Sequence, residues 1–329
     1  MYLDKLKSLY ERNNLPVEEY HFALELVHDF WKTLESSQKT QLESITELDI
    51  DEFIKYLVKE NRSSIASFVA LMRYFKCNNQ NNLYIYLTRY TSTLDVMQNI
   101  LKRLTWYHSS NLKDEILSGL ELPYLGMNPK DVPVFTKIFM KRLESKLSQE
   151  EVEKVLIGNN HEVSKDSVIP EKIEYENSAS LKTYLEERHL RKVIELQSYC
   201  DQKKVWFEQD ITQEVVDFVA NNQEILSAVL KDNKLYITKI PYDTLSFLHA
   251  KDLKTKRYYA CHCGFAREAI IQENMEISKN WCYCSAGFAK FSFEVILDQT
   301  LPIKCLKSAL DQDEICRFVI DLSNIEYKK

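Results

Sequence analysis

The stretch KLYITKI, residues 234–240, decides the fold of this chain. It is rich in β-branched and aromatic side chains, which are typical of a strand. The residues up to about 150 show helical periodicity instead, with apolar side chains recurring every three or four positions. The chain therefore changes from all-helical to mixed structure before residue 234, and the expected fold class is α+β.

More strands are expected around KLYITKI. The pattern predicts them at 256–263, 281–284, 302–306 and 315–322, and together they would form an antiparallel sheet. Helices are predicted between them at 211–219, 224–230, 242–248, 265–272 and 286–297. This arrangement predicts a C-terminal α+β domain over residues 206–329.

The N-terminal half, residues 1–150, is predicted to be an all-helical domain. Helices are expected at 17–34, 50–60, 63–75, 83–90, 94–106 and 131–147, and Asp51, Ser63 and Thr93 stand where helix caps are useful. A polar stretch at 157–176 is interpreted as a loop between domains, and a helix is expected at 180–200. Residues 151–205 are thus assigned to a linker and a helix.

Composition limits the classes of function. The chain has 329 residues, of which 45% are hydrophobic and 28% charged, as in ordinary globular proteins. Its five glycines form no phosphate-binding fingerprint, and a net charge of −6 gives no electrostatic reason to expect a nucleic-acid partner. No apolar run is long enough to span a membrane, and the start, MYLDKLK, predicts an amphipathic helix rather than a signal peptide. We therefore expect a cytoplasmic protein whose eight cysteines are reduced.

Four of those cysteines form two similar segments, Cys261-His262-Cys263 and Cys282-Tyr283-Cys284, each followed by Gly, Phe and Ala. On strands, residues two apart point to the same face, so we expect the four sulfurs to converge. Each pair precedes a predicted helix, whose N-terminus favours a thiolate, and Arg267 and Lys290 add positive charge. The sequence thus predicts lowered thiol pKa values.

Three uses of these cysteines remain open. Cys261, Cys263, Cys282 and Cys284 would hold Zn²⁺ in a tetrahedral sulfur site. Alternatively, Cys261 or Cys282 is a nucleophile, with His262 or His161 as its base. In the third interpretation the cysteines are inert and simply pack the core.

Several other side chains are candidates for binding a ligand. Trp206 and Glu208 combine an aromatic and a polar group, while Lys239 and Tyr242 lie where the predicted strand ends. Arg267 and Phe288 follow the two cysteine segments. The alternative for each is a structural role in a core, a cap or a turn.

The cysteine segments also carry a resemblance. The order Cys261-His262-Cys263-Gly264-Phe265-Ala266-Arg267, then Cys282 and Cys284, then Cys316-Arg317-Phe318 resembles the C-terminal region of aminothiazoline-carboxylate hydrolase-like proteins, and it is similar to vinyl-reductase-like small-molecule-binding domains. Residues 206–209, 238–242 and 281–288 resemble an uncharacterised bacterial family related to these. The resemblance implies an α+β domain around an apolar cavity with cysteines at its mouth. Cys261, Cys282 and Cys316 match the hydrolase-like pattern, whereas Cys263 and Cys284 depart from it.

Residues 53–103 resemble the helical core-binding domain of phage-type integrases. No recombinase constellation of Arg, His-x-x-Arg and Tyr follows, so the resemblance implies only a helical platform for dimerisation or partner docking.

Taken together, the sequence predicts a protein that binds or senses a small, mostly apolar molecule beside a cysteine-rich site, with Zn²⁺ as the expected cofactor. The alternative is a cysteine-dependent hydrolase of a small amide or cyclic C–N bond. A homodimer formed through the helical domain is a further expectation.

Overall fold

A computed structural model describes residues 3–35 and 39–329. The chain divides into two compact units, Met1–Thr93 with Pro123–Pro129, and Leu94–Leu122 with Lys130–Lys329. The predicted domain boundary at residue 150 therefore lies inside the second unit. Met1 and Tyr2 of the predicted first helix, and residues 36–38 of the predicted helical domain, lie outside the described residues.

The first unit is helical. Its helices are α1 (Leu3–Arg12), α2 (Val17–Thr33), α3 (Glu47–Lys59), α4 (Ile65–Cys77) and α5 (Asn81–Thr91), with a 3₁₀ turn at Leu42–Ser44. Their apolar faces meet around Phe30, whose ring lies edge-on to Phe53 and Phe75 at centroid distances of 5.2 and 5.7 Å. The helical prediction for this region is confirmed.

The predicted helix caps fall at neighbouring positions. Thr46 forms a capping box at the start of α3, and Ser64 rather than Ser63 accepts the backbone N–H that begins α4. Asp51 lies inside α3, where its carboxylate accepts hydrogen bonds from the hydroxyls of Tyr86 and Tyr90 at 2.7 and 2.5 Å. Asp51 is therefore a buried link between α3 and α5, not a cap.

The second unit contains both helices and strands. Its helices are α6 (Val96–Tyr107), α7 (Ser110–Leu117), α8 (Val132–Lys146), α9 (Gln149–Leu156), α10 (Ile169–Asn177), α11 (Leu181–Asp201), α12 (Gln213–Ala220), α13 (Thr244–His249), α14 (Leu253–Ala260) and α15 (Tyr283–Leu297). Its strands are β1 (Val205–Trp206), β2 (Gln209–Asp210), β3 (Val229–Lys231), β4 (Lys234–Thr238), β5 (Ile303–Lys307) and β6 (Arg317–Asp321). Short 3₁₀ turns occur at Lys165–Ser167, Arg267–Ile270, Lys279–Cys282 and Ala309–Asp311.

Four of these strands form an antiparallel sheet in the order β3-β4-β6-β5. In its register, Ile237 of β4 lies opposite Phe318 of β6, and both side chains are buried. The same core contains Phe293 and Ile296 of α15, so this helix covers the inner face of the sheet. The α+β fold class is confirmed, and KLYITKI is the source of strand β4.

Four local predictions were wrong. Residues 256–263 and 281–284 are not strands, because they fall on α14 and on the 3₁₀ turn that leads into α15. The predicted helix at 224–230 contains part of β3 instead. The polar stretch 157–176 is not all loop, since α10 begins within it and belongs to the second unit.

The misassigned cysteine segments have a local cause. Asp252 accepts the backbone N–H of Thr255 at 2.9 Å and so begins α14. Ser278 caps the turn before α15 in the same manner. These two caps outweigh the strand preference of Tyr258, Tyr259 and Trp281.

None of the described helices is both long enough and apolar enough to cross a lipid bilayer.

Candidate functional site

The four clustered cysteines lie at helix ends. Cys261 ends α14, Cys263 follows in the turn, Cys282 closes a 3₁₀ turn and Cys284 lies in the first turn of α15. The strand geometry that we expected to align them is therefore absent at both segments. All four nevertheless belong to one region of the second unit.

Their thiols influence one another. Burial and then the neighbouring thiols of Cys263 and Cys316 raise the pKa of Cys261 to about 12. Burial also raises the pKa of Cys284 to about 12, with Cys263 as the next cause. Cys305, which the sequence did not single out, lies in the same region: its thiol contributes to the raised pKa of Cys282, and Cys316 contributes to the raised pKa of Cys305. The thiols thus form a cluster of neutral side chains.

The lowered thiol pKa that we expected is wrong. Burial raises the pKa of Cys261, Cys263, Cys282 and Cys284, because a thiolate loses more hydration than the nearby positive charges replace. At neutral pH these cysteines are thiols, which are poor nucleophiles and poor metal ligands.

The contacts of the two candidate bases are with a backbone carbonyl and an aromatic ring. The Nε2 atom of His262 lies 2.6 Å from the carbonyl oxygen of Ile240, and the ring of His161 lies against Phe288. Within the described part of the chain, no group of three or more His, Cys, Asp or Glu side chains is arranged to hold a metal ion. The zinc site and the hydrolase activity stay predictions.

A different group of side chains surrounds Lys239, at the exit of β4. The backbone N–H of Lys239 donates to the carbonyl of Cys316 at 2.9 Å, which fixes this position beside β6. Its ammonium donates to the Ser285 hydroxyl at 3.0 Å and lies 5.5 Å from the ring centroid of Phe288. No carboxylate among residues 3–35 and 39–329 forms an ion pair with this ammonium. We call Lys239, Ser285, Phe288, His161 and His262 the Lys239 site.

The positive charge of this site lowers the pKa of both histidines. Burial, followed by the positive charges of Lys239 and Arg267, lowers the pKa of His262 to about 3. Burial and then Lys239 also lower the pKa of His161, although one side of this residue is exposed. Both rings are therefore neutral at pH 7, and Lys239 supplies the positive charge of the site.

A second cation, Arg267, lies close to His262 and is only 4% exposed. Its guanidinium carbon is 3.9 Å from the ring centroid of Tyr242, and its Nε atom is 3.6 Å from a carboxylate oxygen of Glu268. Burial acts to lower the pKa of Arg267, but the neighbouring Tyr242 and other groups outweigh it and raise the pKa. Neither the Tyr242 hydroxyl nor the Arg267 Nε has a hydrogen-bond partner of good geometry. Such unsatisfied buried polar atoms are costly and uncommon in folded proteins.

Two glycines bring the loop after α9 to the site. The backbone of Gly158 lies so close to Gly287 of α15 that a Cβ atom on Gly287 would stand 2.4 Å from both the nitrogen and the oxygen of Gly158. This approach places Asn160 beside α15, where its amide nitrogen lies 3.4 Å from the Cys284 sulfur. The next residue, His161, contacts Phe288 with a ring-centroid distance of 5.2 Å. The glycine at 287 thus allows a close contact between two backbones inside a helix.

The structure brings together most of the predicted ligand-binding residues. Lys239 and Phe288 belong to the Lys239 site, and Tyr242 and Arg267 form the pair beside it. Trp206 instead packs in a cluster with α11 and α12 and donates its ring N–H to Glu195 at 2.9 Å.

The hairpin that carries Trp206 supports the site indirectly. Glu208 lies in the turn between β1 and β2. The adjacent Gln209 donates to the carbonyl of Pro241 and accepts the N–H of Thr244, which fixes the loop that carries Tyr242.

Sequence reasoning missed Ser285 and Asn160. Ser285 was only a small residue between Cys284 and Ala286, and its partner lies 46 residues away. Asn160 belongs to a polar segment that we interpreted as an interdomain loop, and its sulfur partner lies 124 residues away. No local sequence pattern predicts contacts between residues so far apart in the chain.

Comparison with known proteins identified no relative of this chain. No protein-family model, no curated protein and no solved structure matches the chain. The resemblances described above therefore rest on the quoted residues alone, and the candidate site is defined by its own geometry.

Proposed function

We propose that this protein binds a small anionic molecule at the Lys239 site and acts as a binding or sensing protein. The observation that carries the proposal is the half-buried ammonium of Lys239, which has a hydroxyl partner and an aromatic neighbour but no carboxylate partner within the described residues. A partly desolvated cation without a counterion attracts an anion, because charge pairing is stronger where water is partly excluded.

The surroundings of Lys239 support the same interpretation. Ser285 offers a hydroxyl beside the ammonium, and the two histidines are neutral, so neither competes for an anion as a charged partner. Arg267 adds a second positive charge close to His262, and Glu268 is the carboxylate paired with it. Among the described residues, Arg267 is therefore paired with a carboxylate and Lys239 is not.

The proposal is tested by thermal unfolding in the presence of acetate, inorganic phosphate and benzoate. A ligand at about 100 times its dissociation constant stabilises a protein by about 2.7 kcal/mol, which raises the Tm of a unit of this size by several degrees. We expect at least one of these anions to raise the Tm of the wild-type protein and not that of Lys239→Gln.

Two further variants serve as controls. Lys234→Gln removes an exposed ammonium from the start of the same strand, so its response should equal that of the wild type. Lys239→Arg keeps the charge and should retain a response. An anion that stabilises Lys239→Gln as much as the wild type would refute the proposal, as would the absence of any response.

All eight cysteines are free thiols, which supports our prediction of a reducing compartment such as the cytoplasm. We also propose that the helical unit mediates dimer formation. Measurement of the mass in solution tests that idea, and a monomer at all concentrations would contradict it.

A further inference from the structure

Phe288 is the feature of the Lys239 site that an anion alone does not explain. It is a large apolar side chain on α15, yet it is 41% exposed. It lies one helical turn beyond Ser285, so its ring and the Ser285 hydroxyl are on neighbouring positions of one helix face. The Lys239 ammonium lies next to both of them.

A second aromatic ring lies beside Phe288, and we call the two rings with the Lys239 ammonium and the Ser285 hydroxyl the binding corner. The neutral imidazole of His161 meets the Phe288 ring at an interplanar angle of 74°. The two rings come from different elements, and the contact between Gly158 and Gly287 holds those elements together. The exposed ring faces are therefore arranged before any ligand arrives, which reduces the entropic cost of binding a flat molecule.

Polar atoms without partners lie close to this corner. Asn160, which precedes His161, is 1% exposed and its Oδ1 atom has no hydrogen-bond partner. The Arg267 Nε atom is in the same condition close to His262. Both atoms are enclosed by protein, so the contacts proposed for the ligand are those of Lys239, Ser285, Phe288 and His161.

We infer that the ligand is a planar aromatic carboxylate, with its carboxylate at the Lys239 ammonium and the Ser285 hydroxyl and its ring against Phe288 and His161. This inference rests on the proposed anion binding and specifies the class of anion. One ammonium matches a single negative charge, and two aromatic rings inclined at 74° match the stacked and edge-on contacts that a flat ring prefers.

The experiment compares benzoate with acetate and cyclohexanecarboxylate by calorimetric titration, with the weaker ligands measured by displacement of benzoate. Benzoate should bind at least tenfold more tightly than acetate because it adds ring contacts. It should also bind more tightly than cyclohexanecarboxylate, which has the same carboxylate and a similar size but a puckered ring.

Variants of Phe288 separate this inference from the proposed function. Phe288→Ala should still bind acetate but lose the preference for benzoate, and Phe288→Tyr should restore it. Equal affinities of the wild type for benzoate and acetate would overturn the aromatic class and leave anion binding intact. If Lys239→Gln binds acetate and benzoate as tightly as the wild type, the proposed function itself is overturned.

Discussion

The close contact between Gly287 and Gly158 leads to a prediction with an unusual sign. Replacing glycine by alanine inside a helix ordinarily stabilises it by about 0.5–1 kcal/mol, because alanine has less backbone freedom to lose. At Gly287, however, the new Cβ atom would stand 2.4 Å from two backbone atoms of Gly158. Ordinary contacts of this kind are about 1 Å longer, and backbone cannot rotate away as a side chain does.

The expected result of Gly287→Ala is therefore destabilisation. Overpacking of a close contact costs about 1–3 kcal/mol, and a contact between backbones belongs at the upper end of that range. After subtracting the gain in helix propensity, we expect the unfolding free energy of the second unit to fall by about 2 kcal/mol. The displaced loop should also carry His161 away from Phe288 and weaken binding at the Lys239 site.

Urea unfolding followed by tryptophan fluorescence measures this change. Three of the four tryptophans, at positions 106, 206 and 281, belong to the second unit, so the signal reports mainly on it. Ser292→Ala in the same helix is the matched control, and it should be neutral or slightly stabilising. If Gly287→Ala is as stable as the wild type or more so, the two backbones do not meet as described.

The remaining predictions concern pH, a buried carboxylate and thiol reactivity. The pKa of His262 is lowered to about 3, whereas an unfolded histidine has a pKa near 6.5, so the unfolded state takes up the proton first as the pH falls. The unfolding free energy should therefore fall by up to about 1.4 kcal/mol per pH unit between pH 6.5 and pH 5. A flat pH profile, or a slope that is unchanged in His262→Gln, would contradict this. Asp51→Ala leaves two buried tyrosine hydroxyls without their acceptor. Urea unfolding should show that the unfolding free energy of the first unit falls by about 2 kcal/mol. A loss under about 0.5 kcal/mol would show that the carboxylate contributes little. Cys263 is half-buried while Cys261 is buried, so iodoacetamide should modify Cys263 before Cys261, which peptide mass analysis can follow. The reverse order would be inconsistent with the burial described.

Much of the fold is predictable from the sequence because its signals are local. The helices of the first unit follow from apolar periodicity, and strands β4, β5 and β6 follow from β-branched and aromatic runs. The cysteine segments misled the same reasoning, since their tyrosines and tryptophan favour strands while the decisive caps, Asp252 and Ser278, lie several residues upstream. A cap changes the state of a whole segment through one hydrogen bond.

The site was predictable in its members but not in its assembly. Lys239 and Arg267 stand out as charged residues beside predicted element ends, and both lie in the region that we propose for binding. Their relation to Ser285 and Asn160 depends on how α15 and the loop after α9 pack against each other. Packing of that kind depends on shape complementarity between distant segments, such as the two facing glycines, and has no periodic signature.

The most direct test of the central claim is a titration of the protein with benzoate while the NMR signals of its seven histidine rings are followed. The claim is that the unpaired charge of Lys239 binds an anion at the Lys239 site, to which His161 and His262 belong. We predict saturable shifts of the His161 and His262 signals in the wild type and in Lys234→Gln, and no such shifts in Lys239→Gln. Shifts confined to other histidines, or shifts at these two that persist in Lys239→Gln, would contradict the account.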